Sequence, residues 1–256
     1  MQRIGFSTGL LYQAFPASPL SERVTTLSNL PLPMNSPAMP IEVHIAYPEQ
    51  LLGDAYENLR SSLFYAANRL FYHRISIHAP TQINYPSKAA QEVLPKLHEL
   101  ADISNASAVV FHPDIVSDPA GIYTSFPEIA AVENLDITKS TGRTDMELSP
   151  FKDEGFKFVL DLNHAQSHGE QAPGLVETLI NFMGNRLTHS HISGLVNERN
   201  PHCLYTHNGT AAQAYLITQL PANIPLIHEG VVAHKDRLAL VEVLSQEMQL
   251  LNRFAF

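Results

Sequence analysis

The chain has 256 residues, 45% hydrophobic and 16% charged, with a formal net charge of −9. That length buries a full core, and the acidity argues against nonspecific binding to a polyanion. One cysteine, Cys203, excludes an internal disulfide and makes a reducing cytoplasm the expected setting, and no run approaches the roughly 20 apolar residues that cross a bilayer.

Met1 runs almost directly into the strand-like IGFSTG, with no long apolar leader. Strand patterns follow at 3–8, 41–46, 74–78, 108–112, 129–133, 157–161, 187–191 and 225–229. Helical patterns fall between them. The longest runs from Glu49 to Leu70. Another runs from Ser87 to Leu100, where Pro95 is expected to kink it. Little chain separates His112 from Glu133, so the fourth helix is expected to be short or missing. The last helix repeats Leu238, Val241, Leu244, Met248 and Leu251 at steps of three and four. Strict alternation of strand and helix implies a parallel sheet. Eight such units in one chain fit a single (β/α)8 barrel domain spanning 1–256, with a doubly wound open sheet as the other architecture.

Six of the apolar runs end in a metal-binding side chain: ISIH at His78, VVFH at His112, AAVE at Glu133, FVLD at Asp161, LTHSH at His191 and LIHE at Glu229. Any one of these alone reads as a surface histidine or a helix cap. Together they place ligands at the C-terminal ends of successive strands, where barrel active sites form. His164, three residues past Asp161, and His207, after the seventh strand, extend the set. Because strand side chains alternate, the layer beneath the tips (Ser76, Val110, Ala131, Val159) is expected to be small or apolar. His189 reads as a core histidine one layer deeper, and His228 should face the helices. His44, His73, His98 and His168 read as structural or surface residues, and His202 remains an open ligand candidate. The eight candidates exceed the needs of one ion, so two or three clustered divalent ions are expected, with Glu133 bridging. Histidine and carboxylate without thiolate favour zinc, with manganese or iron as alternatives.

The short strings around these positions resemble the xylose isomerase-like barrels, and within them endonuclease IV and its relatives. HAPTQIN at His78, VVFHPD at His112, VENLD at Glu133, VLDLNHA at Asp161 and His164, HSHISG at His191, THNG at His207 and IHEG at Glu229 follow in that family's order. The resemblance implies a trinuclear centre. His78, His112 and Glu133 would hold one ion, and Glu133, Asp161, His191 and Glu229 a second. His164 and His207 would contribute to a third. Two departures stand out. Tyr205 occupies the place of an acid two residues before His207, and Ser193 and Gly194 follow His191 where the family has Asn-Asp. The third set is incomplete unless His202 supplies the missing ligand.

Three functions follow. A phosphoesterase would use metal-bound hydroxide on a small phosphoester; the scattered basic residues give a nucleic-acid substrate no support. A sugar or polyol isomerase or epimerase would use one manganese-type ion, with Glu133 and Glu229 as the catalytic bases on opposite faces of an enediolate. NERN, with Glu198 and Arg199, is a candidate contact to substrate hydroxyls or an ordinary exposed loop. A metal-binding protein without catalysis is the third. Ligand number favours the phosphoesterase.

Overall fold

The computed structural model describes residues 4–30, 39–68, 74–194, 203–232 and 237–254. Eight short strands run parallel: β1 Ile4–Ser7, β2 Ile41–His44, β3 Ile75–His78, β4 Ala108–Phe111, β5 Ala130–Glu133, β6 Lys157–Asp161, β7 Leu187–Ile192 and β8 Leu226–His228. They pair in chain order, and β8 closes on β1 through Ile4↔Leu226 and Phe6↔His228. The closed barrel is the (β/α)8 architecture, not an open sheet.

Helices α1 Leu20–Ser28, α2 Gly53–Asn68, α3 Lys88–Ser104, α4 Pro119–Ser125 and α5 Asp145–Glu154 cover the first strands. Helices α6 Leu162–Gln166, α7 Ala172–Met183, α8 Tyr205–Asn208, α9 Ala211–Thr218 and α10 Arg237–Asn252 complete the outer ring. Local chemistry sets their starts. The Ser87 hydroxyl accepts from Ala90 N at 3.1 Å to open α3, and Asp118 accepts from Gly121 N at 3.1 Å to open α4. The fourth helix is short, as expected, at seven residues. Helix α3 continues through Pro95, which sits on its exposed side. No described helix is long and apolar enough to cross a membrane.

The barrel interior is split. Ala108, Val110, Ala131 and Val159 form their own apolar cluster, separate from the larger core between strands and helices. The opposite wall carries Glu42, Ser76 and His189, all buried. The layer beneath the tips is therefore apolar along β4 to β6 and polar along β2, β3 and β7. The buried face of α10 also differs from the apolar repeat. Leu240, Leu244, Glu247 and Leu251 are buried, because His228 Nε2 lies 3.0 Å from Glu247 Oε2 and draws that acid inward. His228 thus faces the helix layer, as its parity requires.

Gly5 marks the seam between β1 and β2. A Cβ there would come within 2.1 Å of the Pro40 carbonyl oxygen, which accepts from Phe6 N at 3.2 Å. Gly5→Ala is expected to cost about 1–3 kcal/mol of stability by forcing this seam apart, read from urea unfolding.

Candidate metal centre

The barrel brings six strand-end residues and His164 to one place. Four overlapping groups have ligand atoms within 4.8 Å of one another: His78, His112 and Glu133; Glu133, Asp161 and His164; Asp161, His191 and Glu229; and Glu42, His189 and His191. Glu133 stands at their junction. Its Oε1 lies 3.0 Å from His112 Nε2 and 3.8 Å from His164 Nδ1. Its Oε2 lies 3.0 Å from His191 Nδ1 and 3.6 Å from His78 Nε2. His191 Nδ1 is also 3.7 Å from Glu229 and 4.0 Å from Asp161.

Backbone contacts aim these side chains. His78 Nδ1 lies 3.0 Å from its neighbour Ala79 O, and His164 Nδ1 lies 2.7 Å from Asn134 O. Only N–H donation satisfies either contact, which leaves Nε2 of each ring as a lone-pair donor. Asp161 is fixed from both sides. Asn134 Oδ1 accepts from Asp161 N at 2.7 Å, and Asn134 Nδ2 donates to Asp161 O at 3.0 Å. Asp161 Oδ1 accepts from Asn163 N and His164 N as the cap of α6.

The electrostatics follow from burial and crowding. Burial opposes ionisation of Glu133, but the charge of His112 and the close approach of the His112, His191 and His78 imidazoles hold its carboxyl well below the usual range. Burial alone would depress His78; the hydrogen bond and charge of Glu133, then Glu42 and Glu229, outweigh it and lift the imidazole to about 9. Burial raises Glu229 to about 7; the nearby charge of His191 opposes this, and Glu42, Asp161 and Glu133 add to it.

The donor set fits a divalent ion. Asp161 Oδ2 is buried with no hydrogen-bond partner. Glu133 Oε2 and His191 Nδ1 are close yet not aligned as donor and acceptor. Buried carboxylates this crowded need cationic compensation, and lone pairs converging without donors are what a metal ion satisfies.

Two residues missed by the strand-tip reading belong here. Glu42, fully buried in β2, accepts from Ser76 Oγ at 3.0 Å and faces His189 Nε2 at 3.1 Å and His191 Nε2 at 3.1 Å. It holds His191 so that Nδ1 faces the centre. An acid flanked by Ile41 and Val43 inside a strand was the available signal, since buried charge demands partners. His44, at the tip of IEVH, stacks on His78 with ring centroids 4.7 Å apart, and burial followed by the charge of His78 lowers it to about 3. It repeats the same tip pattern but was assigned to structure or surface. His189 is the deeper core histidine its parity implies.

His207 is a correction. It is exposed on α8 and lies outside all four groups. Glu247 accepts from Tyr205 N at 3.0 Å and Thr206 N at 2.8 Å, which pins α8 to α10 with His207 outward. Tyr205 is core, its hydroxyl donating to Thr210 O at 3.0 Å. Ser193 is buried against the Asn163 side chain. The expected third ion therefore keeps only His164 of its own ligands among the described residues. His202, Glu198 and Arg199 lie outside the described residues.

No family model and no curated protein sequence matches the chain. Solved structures do. A xylose isomerase domain containing protein from Salmonella typhimurium LT2 aligns at TM-score 0.68 and 14% identity, over 98% of this chain and 97% of that one. AsbF from Bacillus anthracis, described as a 3-DHS dehydratase of petrobactin synthesis, aligns at 0.62 and 12%, over 98% and 99%. A protein from Anabaena variabilis ATCC 29413, described as a sugar phosphate isomerase/epimerase, aligns at 0.58 and 15%, over 98% and 99%. At such identities the likeness establishes the (β/α)8 barrel fold and the fold alone.

Glu133→Ala is expected to lose more bound metal than any other single ligand substitution, and Glu42→Gln to weaken metal binding about 10–100-fold without unfolding. His207→Ala should keep full metal content; elemental analysis of the purified variants reads all three. Acidity gives a second check. Histidine must be neutral to ligate, so below about pH 9 a proton on His78 competes with the ion. Apparent affinity in a chelator competition should climb with pH and level off above about 9. The stripped protein shows the opposite sense: stability from charged His78 is complete below its unfolded value and fades as pH rises through about 9.

Proposed function

We propose that the protein is a divalent-metal-dependent enzyme that moves protons on a small oxygen-rich substrate, as a sugar or polyol isomerase or epimerase does. The observation that carries this reading is the placement of two glutamates. Glu133 and Glu229 reach the centre from β5 and the end of β8, well apart around the ring, and Glu229 also lines a cavity of about 250 Å³. That volume is below the roughly 300–1,000 Å³ of drug-sized sites and suits a small metabolite. Two proteins sharing the fold are described as a sugar phosphate isomerase/epimerase and a dehydratase, names that denote isomerisation and dehydration.

An ion held by Glu133, Asp161, His191 and Glu229 would supply Lewis acidity to substrate oxygens; zinc, manganese and iron all suit these ligands. The protein supplies the proton carriers. In the metal-free chain Glu133 is ionised, whereas Glu229, near 7, can take up, hold and return a proton. Carboxyls driven apart in this way divide acid and base roles. Each carboxylate has two oxygens, so one can ligate while the other handles the proton. Asp161 and His191, fixed by Asn134 and Glu42, serve as ligands only.

A phosphoesterase with a two-ion centre is the second reading. Its support is the His78, His112 and Glu133 group, assembled beside the first and able to hold a second ion. The endonuclease IV resemblance rests on the sequence motifs.

Metal-loaded protein should incorporate solvent deuterium next to the carbonyl carbon of a ketose or aldose from a panel run in D2O and read by NMR. Glu229→Gln should slow that exchange about 10²–10⁴-fold at saturating metal. Release of phosphate or alcohol from a phosphoester panel, without exchange and with two ions per chain, would transfer the assignment to the phosphoesterase.

A further inference from the structure

We infer that Arg23 of α1 binds an anionic group of the substrate, a phosphate or a carboxylate, inside the cavity that Glu229 lines. The inference rests on the proposed reading of that cavity as the substrate site. Ser7, Tyr12, Arg23, His44, Tyr47 and Glu229 all line this space, so it joins Arg23 to the candidate metal-centre carboxylate Glu229.

Arg23 is buried, with 6% of its surface exposed. Its Nη2 donates to Phe15 O at 3.2 Å and Ser18 O at 3.1 Å, and its carbon Cζ lies 4.8 Å from the centre of the Tyr12 ring. Its Nε is buried without an acceptor. Among the described residues no carboxylate acts on it; Tyr12 is its one charged-type neighbour. Cations elsewhere near the site have acids of their own. Lys139 sits 3.0 Å from Asp114, and Arg143 sits 2.6 Å from Glu147. A buried guanidinium lacking a counter-charge is costly to maintain, and its planar fork matches an oxyanion. The surrounding wall suits the rest of such a molecule. Ser7 Oγ accepts from Gly9 N at 3.2 Å and keeps its hydrogen to donate, and the Tyr12 and Tyr47 hydroxyls meet beside it.

The test uses the full metal-loaded chain with ribose, ribose 5-phosphate, ribonate and inorganic phosphate as probes. Calorimetry should show at least one anionic pentose binding about 10- to 100-fold tighter than neutral ribose, the range a charged hydrogen bond supports. Which of ribose 5-phosphate and ribonate wins identifies phosphate or carboxylate. Arg23→Gln should abolish that preference, and Arg23→Lys should keep part of it. Because Arg23 also ties down Phe15 and Ser18, a variant that fails to fold is replaced by labelling. Phenylglyoxal modification of wild-type Arg23, mapped by mass spectrometry, should be blocked by the anionic probes and not by ribose. Equal binding of neutral and anionic pentoses, an unchanged preference in folded Arg23→Gln, or no shielding by any anion would each overturn the inference. Absent deuterium exchange alongside intact shielding would sink the isomerase reading and leave Arg23 in place; exchange on a neutral sugar without shielding would do the reverse.

Discussion

Four carboxylates are buried at one end of this barrel, and the compensation of their charge is the constraint on which the rest of the site depends. Glu42, Glu133 and Asp161 are almost wholly shielded from solvent, and Glu229 is nearly so. Desolvating that many anions is prohibitive unless cations or donors surround them. The protein answers with imidazoles from β3, β4, β7 and α6, each placed against Glu133 or its neighbours. The residual lone pairs, Asp161 Oδ2 above all, have no protein partner. A divalent ion would close that gap.

The same constraint explains the uneven barrel interior. On the β4 to β6 side the tips rest on alanines and valines, which require nothing beyond packing. On the β2 and β7 side the tip histidine His191 rests on Glu42, and Glu42 in turn takes bonds from Ser76 and His189. A carboxylate behind a ligating imidazole fixes its tautomer and raises its basicity. The polar half of the interior is therefore the support of the ligand that faces Glu133, Asp161 and Glu229 together. Outside the barrel, His228 and Glu247 form a separate buried pair that anchors α8 to α10. That anchor turns His207 away.

The barrel and the convergence of its strand-end side chains were legible because period-two alternation and a polar terminus are local properties of each run. ISIH, AAVE and FVLD announce both a strand and the direction of its last side chain. The resemblance of the motifs agreed with that order. What could not be read depends on partners distant in sequence. Glu42 lies inside its strand, and only the closure that brings β2 across from β7 gives it His189 and His191. The apolar repeat of α10 found Leu244, Met248 and Leu251, which lie in or against the core, but passed over Glu247, which only its distant partner His228 explains. His207 carried the right motif, but its direction is decided by where Glu247 holds the backbone of Tyr205 and Thr206. Arg23 had no motif at all; a lone arginine in an amphipathic helix becomes informative only when burial without an acid is seen.

The surplus histidines, which first favoured several ions, also have a place in a one-ion enzyme. Glu133 divides its oxygens, with Oε2 toward His191 and Oε1 toward His112 and His164. An ion shared by Asp161, His191 and Glu229 draws on the first oxygen and leaves the second to be balanced. His112 and His164 face that second oxygen, while His78, lifted to about 9, is protonated at neutral pH and lies 3.6 Å from the first. A second ion between His78, His112 and Glu133 would displace that proton and do the same electrostatic work. The fold thus places one ring of candidate ligands around Asp161 and His191 and, beside it, a position where a proton and a metal ion would compete. On this reading the number of ions would turn on His78 and His112, where metal supply and pH choose between proton and ion.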